Sequence, residues 1–169
     1  MITALGNKNK YSAREMLLFA TVIFAEDDYV CDDSNSAVTN NCMGCICQAS
    51  SSCNQTIGCI SGNSLCGPFL ISKPFWLDAG ACALNGDNPS SPTAFINCAN
   101  DIACAAKTIR SYVNRFQKDC NGDQVETCED FAMIHKNGGW NCGNNIDNTD
   151  YGMFFTECKD NILSSGGSL

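Results

Sequence analysis

The sequence predicts a small α+β domain with a strand-poor, cysteine-rich front half and a helical back half. Three observations support this fold class. Cysteine makes up 14 of the 169 residues, a share typical of disulfide scaffolds. Apolar residues recur at three- and four-residue steps between positions 100 and 117, which is the spacing of one helix face. The length is that of a single domain of ordinary size.

Residues 1–25 have the composition of a secretory signal peptide. Basic residues from Lys8 to Arg14 precede an apolar run that ends at Ala25, the expected cleavage point. A buried helix at the edge of the domain is the alternative. Export and an even number of cysteines together predict seven disulfides rather than a zinc site, and the sequence leaves their connectivity open. The cysteines are Cys31, Cys42, Cys45, Cys47, Cys53, Cys59, Cys66, Cys82, Cys98, Cys104, Cys120, Cys128, Cys142 and Cys158.

The front half offers few regular elements. Residues 26–41 are acidic and polar, and we predict an N-terminal arm that Cys31 anchors. Residues 42–66 contain six cysteines but few apolar side chains, so cross-links must supply their order. A short strand is predicted at 69–71, and the polar composition of 85–93 indicates a loop.

The back half is predicted to be helical. The apolar face described above gives one helix, and Thr127 with Asp130 is predicted to cap a second, shorter helix from Glu129 to His135. A pair of glycines at 138–139 ends it. The predicted organisation is a signal peptide at 1–25, an acidic arm at 26–41, a folded domain at 42–158 and a flexible tail at 159–169.

The charge balance argues against two classes of partner. Acidic side chains outnumber basic ones by 18 to 10, for a net charge of -8. Nucleic acids and anionic membranes attract clustered Lys and Arg, which this chain lacks. No apolar run reaches the roughly 18 residues of a membrane-spanning helix. We therefore expect neither nucleic acid nor membrane as a partner.

A twelve-residue loop before the second helix has the ligand spacing of an EF-hand calcium site. A structural calcium ion is therefore expected, although Gln124 replaces the usual glycine of the turn and an Asp replaces the long Glu at the last position. The alternative is an acidic, helix-capping turn that binds no ion. The candidate ligands are Asp119, Asn121, Asp123, Val125, Thr127 and Asp130.

Six cysteines lie between Cys42 and Cys66, inclusive, and a series of landmark residues follows them. The spacing of this pattern resembles that of the invertebrate-type lysozyme, or destabilase, family, with details of its insect branch. The landmarks are Gly67-Pro68-Phe69, the segments 73–78 and 98–104, Ala132 to His135, Asn137-Gly138-Gly139 and Cys142. The resemblance implies a lysozyme-like fold, secretion, and a role in antibacterial defence or in digestion of bacteria. It also implies a glycosidase that hydrolyses the β-1,4 bond between N-acetylmuramic acid and N-acetylglucosamine in peptidoglycan.

Glycosidases of this kind use two carboxyl groups. The resemblance places the family's catalytic Glu at Ser50 and its Asp just after Cys59, where no acid occurs. Indeed no Asp or Glu lies anywhere from Ser34 to Leu77. We therefore expect muramidase activity to be weak or lost. An active enzyme would need relocated acids, of which Asp78 and Asp101 are nearest in sequence.

Some family members are proposed to cleave isopeptide bonds with a Ser and a Lys. Those positions fall on Leu65 and Ser72 here, one residue away from Ser64 and Lys73. An offset of one residue turns a side chain to the other side of an extended segment, so this dyad is not expected to work.

Other candidate residues concern binding. His135, the one histidine, is expected to make a structural hydrogen bond at a helix end. Phe75 and Trp76 are expected either to stack on a sugar or to fill the core, and Asn137 is a candidate substrate ligand. The sequence thus leaves three hypotheses. The first is a protein that recognises bacterial cell-wall glycan (peptidoglycan) or a related polysaccharide, with weak or no muramidase activity. The others are an active lysozyme with relocated acids and a non-catalytic, calcium-stabilised interaction protein.

Overall fold

The computed structural model describes residues 31–169 and confirms an α+β fold that is mostly helical. The predicted signal peptide lies outside the described residues and stays a prediction. The elements are α1 (Asn40–Ser51), β1 (Cys59–Ile60), β2 (Leu65–Cys66), α2 (Lys73–Asp78), α3 (Ala94–Asn100), α4 (Ile102–Phe116), α5 (Cys128–Asn137) and α6 (Asp150–Ser164).

Helix α1 lies in the segment for which the sequence predicts only cross-links. The hydroxyl of Thr39 caps it by accepting from the Cys42 amide at 3.1 Å, and Ser52 ends it in a left-handed conformation. The buried face includes Cys45 and Ile46, both fully inaccessible, and packs against α6. Burial in the middle of the domain supplies the stability that Gly, Ser and Asn do not give a helix on their own.

The two short strands form an antiparallel hairpin, with Cys59 opposite Cys66 and Ile60 opposite Leu65. A disulfide joins Cys59 to Cys66 across the pair. The strand predicted at 69–71 reduces to one bridge between Cys66 and Ile71, because Leu70 takes a left-handed conformation that interrupts an extended chain.

The two predicted helices of the back half are present as α4 and α5. The side chain of Asp101 caps α4 by accepting from the Cys104 amide at 2.8 Å. A capping box of Thr127 and Asp130 begins α5, as the sequence predicts, and Gly138 ends it at a φ of 77°. At such a φ a side chain would be strained, which is why glycine suits this position.

The ends of the chain are more structured than the sequence predicts. The arm from residue 31 to 38 lies along α4, where Asp32 donates its amide to the buried hydroxyl of Ser111 at 3.0 Å. Helix α6 continues through the predicted flexible tail to Ser164. Beyond it, the carbonyl of Ser168 accepts a hydrogen bond from the side chain of Asn41 at 2.7 Å.

All fourteen cysteines are paired, which confirms the predicted seven disulfides. Three of the bonds join distant parts of the chain, and two of these connect α1 to α5 and to α6. The pairs are Cys31–Cys82, Cys42–Cys128, Cys45–Cys158, Cys47–Cys53, Cys59–Cys66, Cys98–Cys104 and Cys120–Cys142. Between residues 31 and 169, no helix is both long and apolar enough to cross a membrane.

Candidate functional site

Ser50, at the position expected for a catalytic Glu, lies in the last turn of α1. Its half-buried hydroxyl donates to the carbonyl of Ile46 at 2.7 Å, a bond within its own helix. The segment that would carry the second carboxylate is the tip of the hairpin, which consists of four exposed or half-exposed residues, Ser61 to Ser64. Neither place offers an acid.

The two nearest acids differ in their surroundings. Asp101 is exposed, and its carboxylate caps α4. Asp78 ends α2 and is half-buried, and its backbone carbonyl accepts from Arg115 at 2.7 Å. Of these two, Asp78 alone lines the cavity that adjoins the hairpin.

That cavity, which we call the His135 pocket, has a volume of about 310 Å³. It is bounded by strand β2, helix α2, the middle of α4 and the end of α5. Its lining combines aromatic rings with polar groups, a mixture typical of sites for small molecules and sugars. The lining residues are Leu65, Leu70, Ile71, Ser72, Pro74, Phe75, Asp78, Tyr112, His135, Lys136, Asn137 and Gly138.

His135 uses both ring nitrogens for structural hydrogen bonds. Its Nε2 lies 3.0 Å from the carbonyl oxygen of Phe69, and its Nδ1 lies 3.1 Å from the hydroxyl of Tyr151. A carbonyl accepts only, so Nε2 carries the proton and, in the neutral ring, Nδ1 accepts from Tyr151. The single hydroxyl proton of Tyr151 is shared between Nδ1 and the carbonyl oxygen of Ala132, which lies 3.3 Å from the hydroxyl. Burial lowers the pKa of His135 to about 4, against the opposing effect of the Phe69 hydrogen bond. The imidazole is therefore neutral near pH 7 and ties the loop at Phe69 to α5.

The proposed sugar-stacking rings lie mostly in the core. Trp76 is 2% exposed and donates its indole N–H to the carbonyl of Cys82 at 2.6 Å, so this ring has no face open to a sugar. Phe75 is 9% exposed and stacks on Tyr112, with ring centroids 3.7 Å apart, and it lines the His135 pocket. Asn137 also lines the pocket, and its amide donates to the carbonyl of Asn144 at 2.7 Å.

The four residues considered for an isopeptidase dyad have other roles or none. The hydroxyl of Ser72 caps α2 by accepting from the Phe75 amide at 3.3 Å. Lys73 and Ser64 are exposed, and Leu65 belongs to β2. Among these four residues, no serine hydroxyl is in hydrogen-bond contact with the amine of Lys73.

The predicted calcium loop is held by its own backbone. Asp119 accepts from the amides of Gly122 and Gln124, at 2.7 and 2.8 Å, and Asp123 accepts from that of Val125 at 2.9 Å. Asp130 is fully buried and accepts from Cys120, Asn121 and Thr127. Within residues 31–169, no cluster of three or more acidic, His or Cys side chains is placed to hold a metal ion. Calcium binding here stays a prediction.

The sequence patterns described above do not single out one exposed aromatic residue. Trp140 is 82% exposed in the loop after α5, far more than other large apolar side chains of the described chain. It follows two glycines and precedes polar residues, so no periodic pattern marks it. The one available signal was its identity: a Trp amid Asn and Gly residues has no core to join.

Comparison with known proteins identifies relatives of the fold and sequence. A family model described as Destabilase matches residues 39–158. The chain is 33% identical to Invertebrate-type lysozyme 3 of Caenorhabditis elegans over 104 residues, which cover 60% of this chain and 73% of the relative. It is 31% identical to Lysozyme of Magallana gigas over 132 residues, covering 76% and 84% of the two chains.

The fold is also similar to solved structures. A chain in the crystal structure of Aeromonas hydrophila PliI in complex with Meretrix lusoria lysozyme superposes with a TM-score of 0.57 at 23% identity, covering 80% of this chain and 99% of that one. The crystal structure of inhibitor-bound lysozyme from Meretrix lusoria gives 0.56 at 24% identity, covering 79% and 98%. At this identity the likeness concerns the fold alone.

Proposed function

This chain belongs to the destabilase family, and from that premise we propose that it is a secreted protein directed at bacterial peptidoglycan, with muramidase activity that is weak or lost. The relatives reported above carry the name lysozyme, which supports the substrate class. Antibacterial defence and digestion of bacteria are the two roles that this substrate allows. Secretion is supported by the seven disulfides, which persist in oxidising compartments.

The observation that carries the proposal is Ser50. A general acid must protonate the leaving sugar oxygen, and burial keeps a Glu protonated for this task near neutral pH. A serine hydroxyl is far too weak an acid, and that of Ser50 already donates to the carbonyl of Ile46. Because each acid–base group contributes roughly 100- to 10,000-fold, loss of both should leave little hydrolysis.

Binding does not need the missing acids. The His135 pocket retains aromatic and amide groups of the kind that hold sugars, including Phe75 and Asn137. A glycan that is bound but not cleaved would make this protein a recognition module. The two other hypotheses have less support. Asp101 is engaged as a helix cap, which leaves Asp78 as the one acid of the His135 pocket where hydrolysis uses two, and the calcium loop is closed by its own hydrogen bonds.

The test has two parts on the same purified protein. Clearing of a bacterial cell-wall suspension, measured across pH 4 to 8 with and without calcium, reports hydrolysis. Retention on insoluble peptidoglycan reports binding. We expect retention with little clearing. Lysis at the rate of an ordinary lysozyme would contradict the loss of activity, and failure to be retained would contradict recognition of the wall.

A gain-of-function variant sharpens the test. Ser50→Glu would place a carboxyl group in a half-buried position, where its pKa is raised. We expect clearing to rise by at least about tenfold over the unmodified protein, since one of the two groups returns. Gln48→Glu is the matched control, because it adds the same charge on an exposed position of α1. Equal effects of the two variants would show that position 50 has no special place in the chemistry.

A further inference from the structure

Trp140 projects from a loop that is otherwise polar. The ring is 82% exposed, whereas Trp76, the other tryptophan of the chain, is 2% exposed. Its neighbours Asn141, Asn144 and Asn145 are exposed amides. These amides leave the ring without apolar neighbours of the kind that form the buried core of a protein–protein interface. A single ring surrounded by hydrogen-bonding groups instead matches a ligand that alternates apolar and polar atoms.

The ring is held by a row of aromatic side chains. Its edge meets Phe116, with centroids 5.7 Å apart at 72°; Phe116 packs on Tyr112 at 4.5 Å, and Tyr112 stacks on Phe75. The loop is fixed to this row through Gly139, whose amide donates to the Tyr112 hydroxyl at 3.0 Å. A Cβ atom at Gly139 would lie 2.3 Å from the Phe116 ring, so only glycine lets the loop lie this close.

The row also connects Trp140 with the His135 pocket. Phe75 and Tyr112, at its inner end, line the pocket, and so does Gly138, two residues before Trp140. Asn137 brings an amide group to the same wall. Only Gly139 separates the pocket lining at Gly138 from Trp140, so the exposed ring lies beside the pocket along the chain.

We propose that Trp140 is a binding residue for one sugar ring of a β-1,4-linked N-acetylhexosamine chain that extends from the His135 pocket. Such sugars carry their substituents equatorially, so each ring has a face of C–H groups that covers indole, while its hydroxyl and acetamido groups reach the neighbouring amides. The class of ligand rests on the proposed function. The two sources of this chemistry are chitin and the glycan strands of peptidoglycan.

Fluorescence can follow Trp140 almost alone. Acrylamide quenches exposed indoles, so in the free protein it should act mainly on Trp140, with Trp76 shielded. Saturating chitohexaose, or soluble glycan strands released from peptidoglycan, should protect Trp140 from acrylamide quenching and shift its emission to shorter wavelength. Comparing the two ligands identifies the source of the sugar chain. Trp76→Phe should retain the whole response, which assigns the signal to position 140.

Affinity provides the second readout. Trp140→Ala should weaken binding of the preferred glycan by about tenfold, the effect of removing one well-covered aromatic face. Trp140→Phe keeps a smaller ring, so its affinity should lie between those of the unmodified protein and Trp140→Ala. Leu163→Ala is the matched control, because Leu163 is also an exposed apolar residue, at 51%, and lies on α6. Exposure of Trp140 means that its replacement should leave the melting temperature unchanged.

The outcomes separate this inference from the proposed function. If the unmodified protein binds neither glycan nor peptidoglycan, the proposed function fails. The unmodified protein could bind a glycan while Trp140→Ala binds it equally well and the glycan does not change the acrylamide quenching of Trp140. In that case the pocket is a glycan site and the inference about Trp140 is wrong. If Trp140 is already shielded from acrylamide in the free protein, a second copy covers it, and the inference is also wrong.

Discussion

His135 bridges two elements through both of its ring nitrogens, and its protonation is coupled to folding. In the folded protein, burial lowers the pKa of the imidazole from 6.5 to about 4. Above pH 6.5 the ring is neutral in both the folded and the unfolded chain, so it contributes no pH dependence. Between the two values the unfolded chain binds the extra proton, so the folded state loses stability as the pH falls.

We therefore expect the free energy of unfolding to decrease between pH 6.5 and 4.5 by up to about 1.4 kcal/mol per pH unit from this residue. Urea unfolding at a series of pH values measures it. His135→Gln should make the free energy of unfolding less dependent on pH between 6.5 and 4.5. Lys118→Gln, at an exposed position, should leave this pH dependence unchanged. Parallel curves for the unmodified protein and His135→Gln would mean that the imidazole does not titrate as described.

Individual residues of the site were partly predictable. The absence of acids near Ser50 is a property of the sequence itself and required no coordinates. The sequence left open whether Phe75 and Trp76 stack on a sugar or fill the core, and the structure buries both rings. The polar neighbours of Trp140 indicate that the ring is exposed, but its supporting row could not be predicted, because that row joins residues from α2, α4 and the loop after α5.

At the scale of elements, α5 depends on the loop before it. Both carboxylate oxygens of Asp130 accept hydrogen bonds from backbone amides: Cys120 and Asn121 share one oxygen, and Thr127 donates to the other. The residue is fully buried, so each of these donors would lack a partner without it. One side chain thereby fixes both the cap of α5 and the fold of the loop.

Asp130→Asn should lower the free energy of unfolding by about 1–3 kcal/mol. The reason is that the NH₂ group of the new side chain would face backbone amides that themselves donate. Denaturant unfolding at pH 7 measures the loss. Asp123→Asn is the control: it makes the same change at an exposed position of the loop and should stay within about 0.5 kcal/mol of the unmodified protein. A neutral effect of both variants would show that the buried carboxylate is dispensable.

Calcium is a separate prediction for the same loop. With the millimolar affinity typical of extracellular sites, about 10 mM calcium should stabilise the protein by 1–2 kcal/mol, roughly, and raise its melting temperature. The half-buried Asp119 and the exposed Asp123 would supply the charge, so Asp123→Asn should reduce the increase in melting temperature. Magnesium at equal concentration controls for ionic strength. If calcium and magnesium act alike, the loop is only a helix-capping turn.

Helices differed in how well the sequence predicted them. The apolar face of α4 is continuous and its cap at Asp101 is a side chain that favours helix starts, so local pattern and packing agree. Helix α1 has no such pattern, because Cys, Gly, Asn and Ser occupy most of it. Its helical state comes from burial against α6 and from disulfides, both of which join residues far apart in sequence.

For the whole molecule, the disulfides differ greatly in the length of chain they close. Cys45–Cys158 joins residues separated by 113 positions, whereas Cys47–Cys53 spans 6. A cross-link restricts the unfolded chain more when its loop is longer. Since α1 carries Cys42, Cys45 and Cys47, this single helix is covalently connected to α5, to α6 and to the turn that follows it.

Replacing both cysteines of a pair by alanine tests this difference. With Cys42–Cys128 intact, Cys45–Cys158 closes only about 33 residues of the unfolded chain, the 3 from Cys42 to Cys45 and the 30 from Cys128 to Cys158. By the chain-entropy account its loss should therefore cost about 4 kcal/mol, and loss of Cys47–Cys53 about 2 kcal/mol. Both sulfur pairs are attached to α1, so their local surroundings are comparable. Denaturant unfolding of the two double variants gives the values. An equal loss would show that packing around the sulfur atoms, rather than loop length, sets the stability.

The long cross-links also overlap. The spans 31–82, 42–128 and 45–158 together enclose every peptide bond from Cys31 to Cys158. A protease that nicks the backbone once anywhere in this stretch therefore cannot release a fragment, because at least one sulfur–sulfur bond still ties the two pieces. A chain severed once in this stretch therefore remains one molecule, and only a reductant reveals the damage.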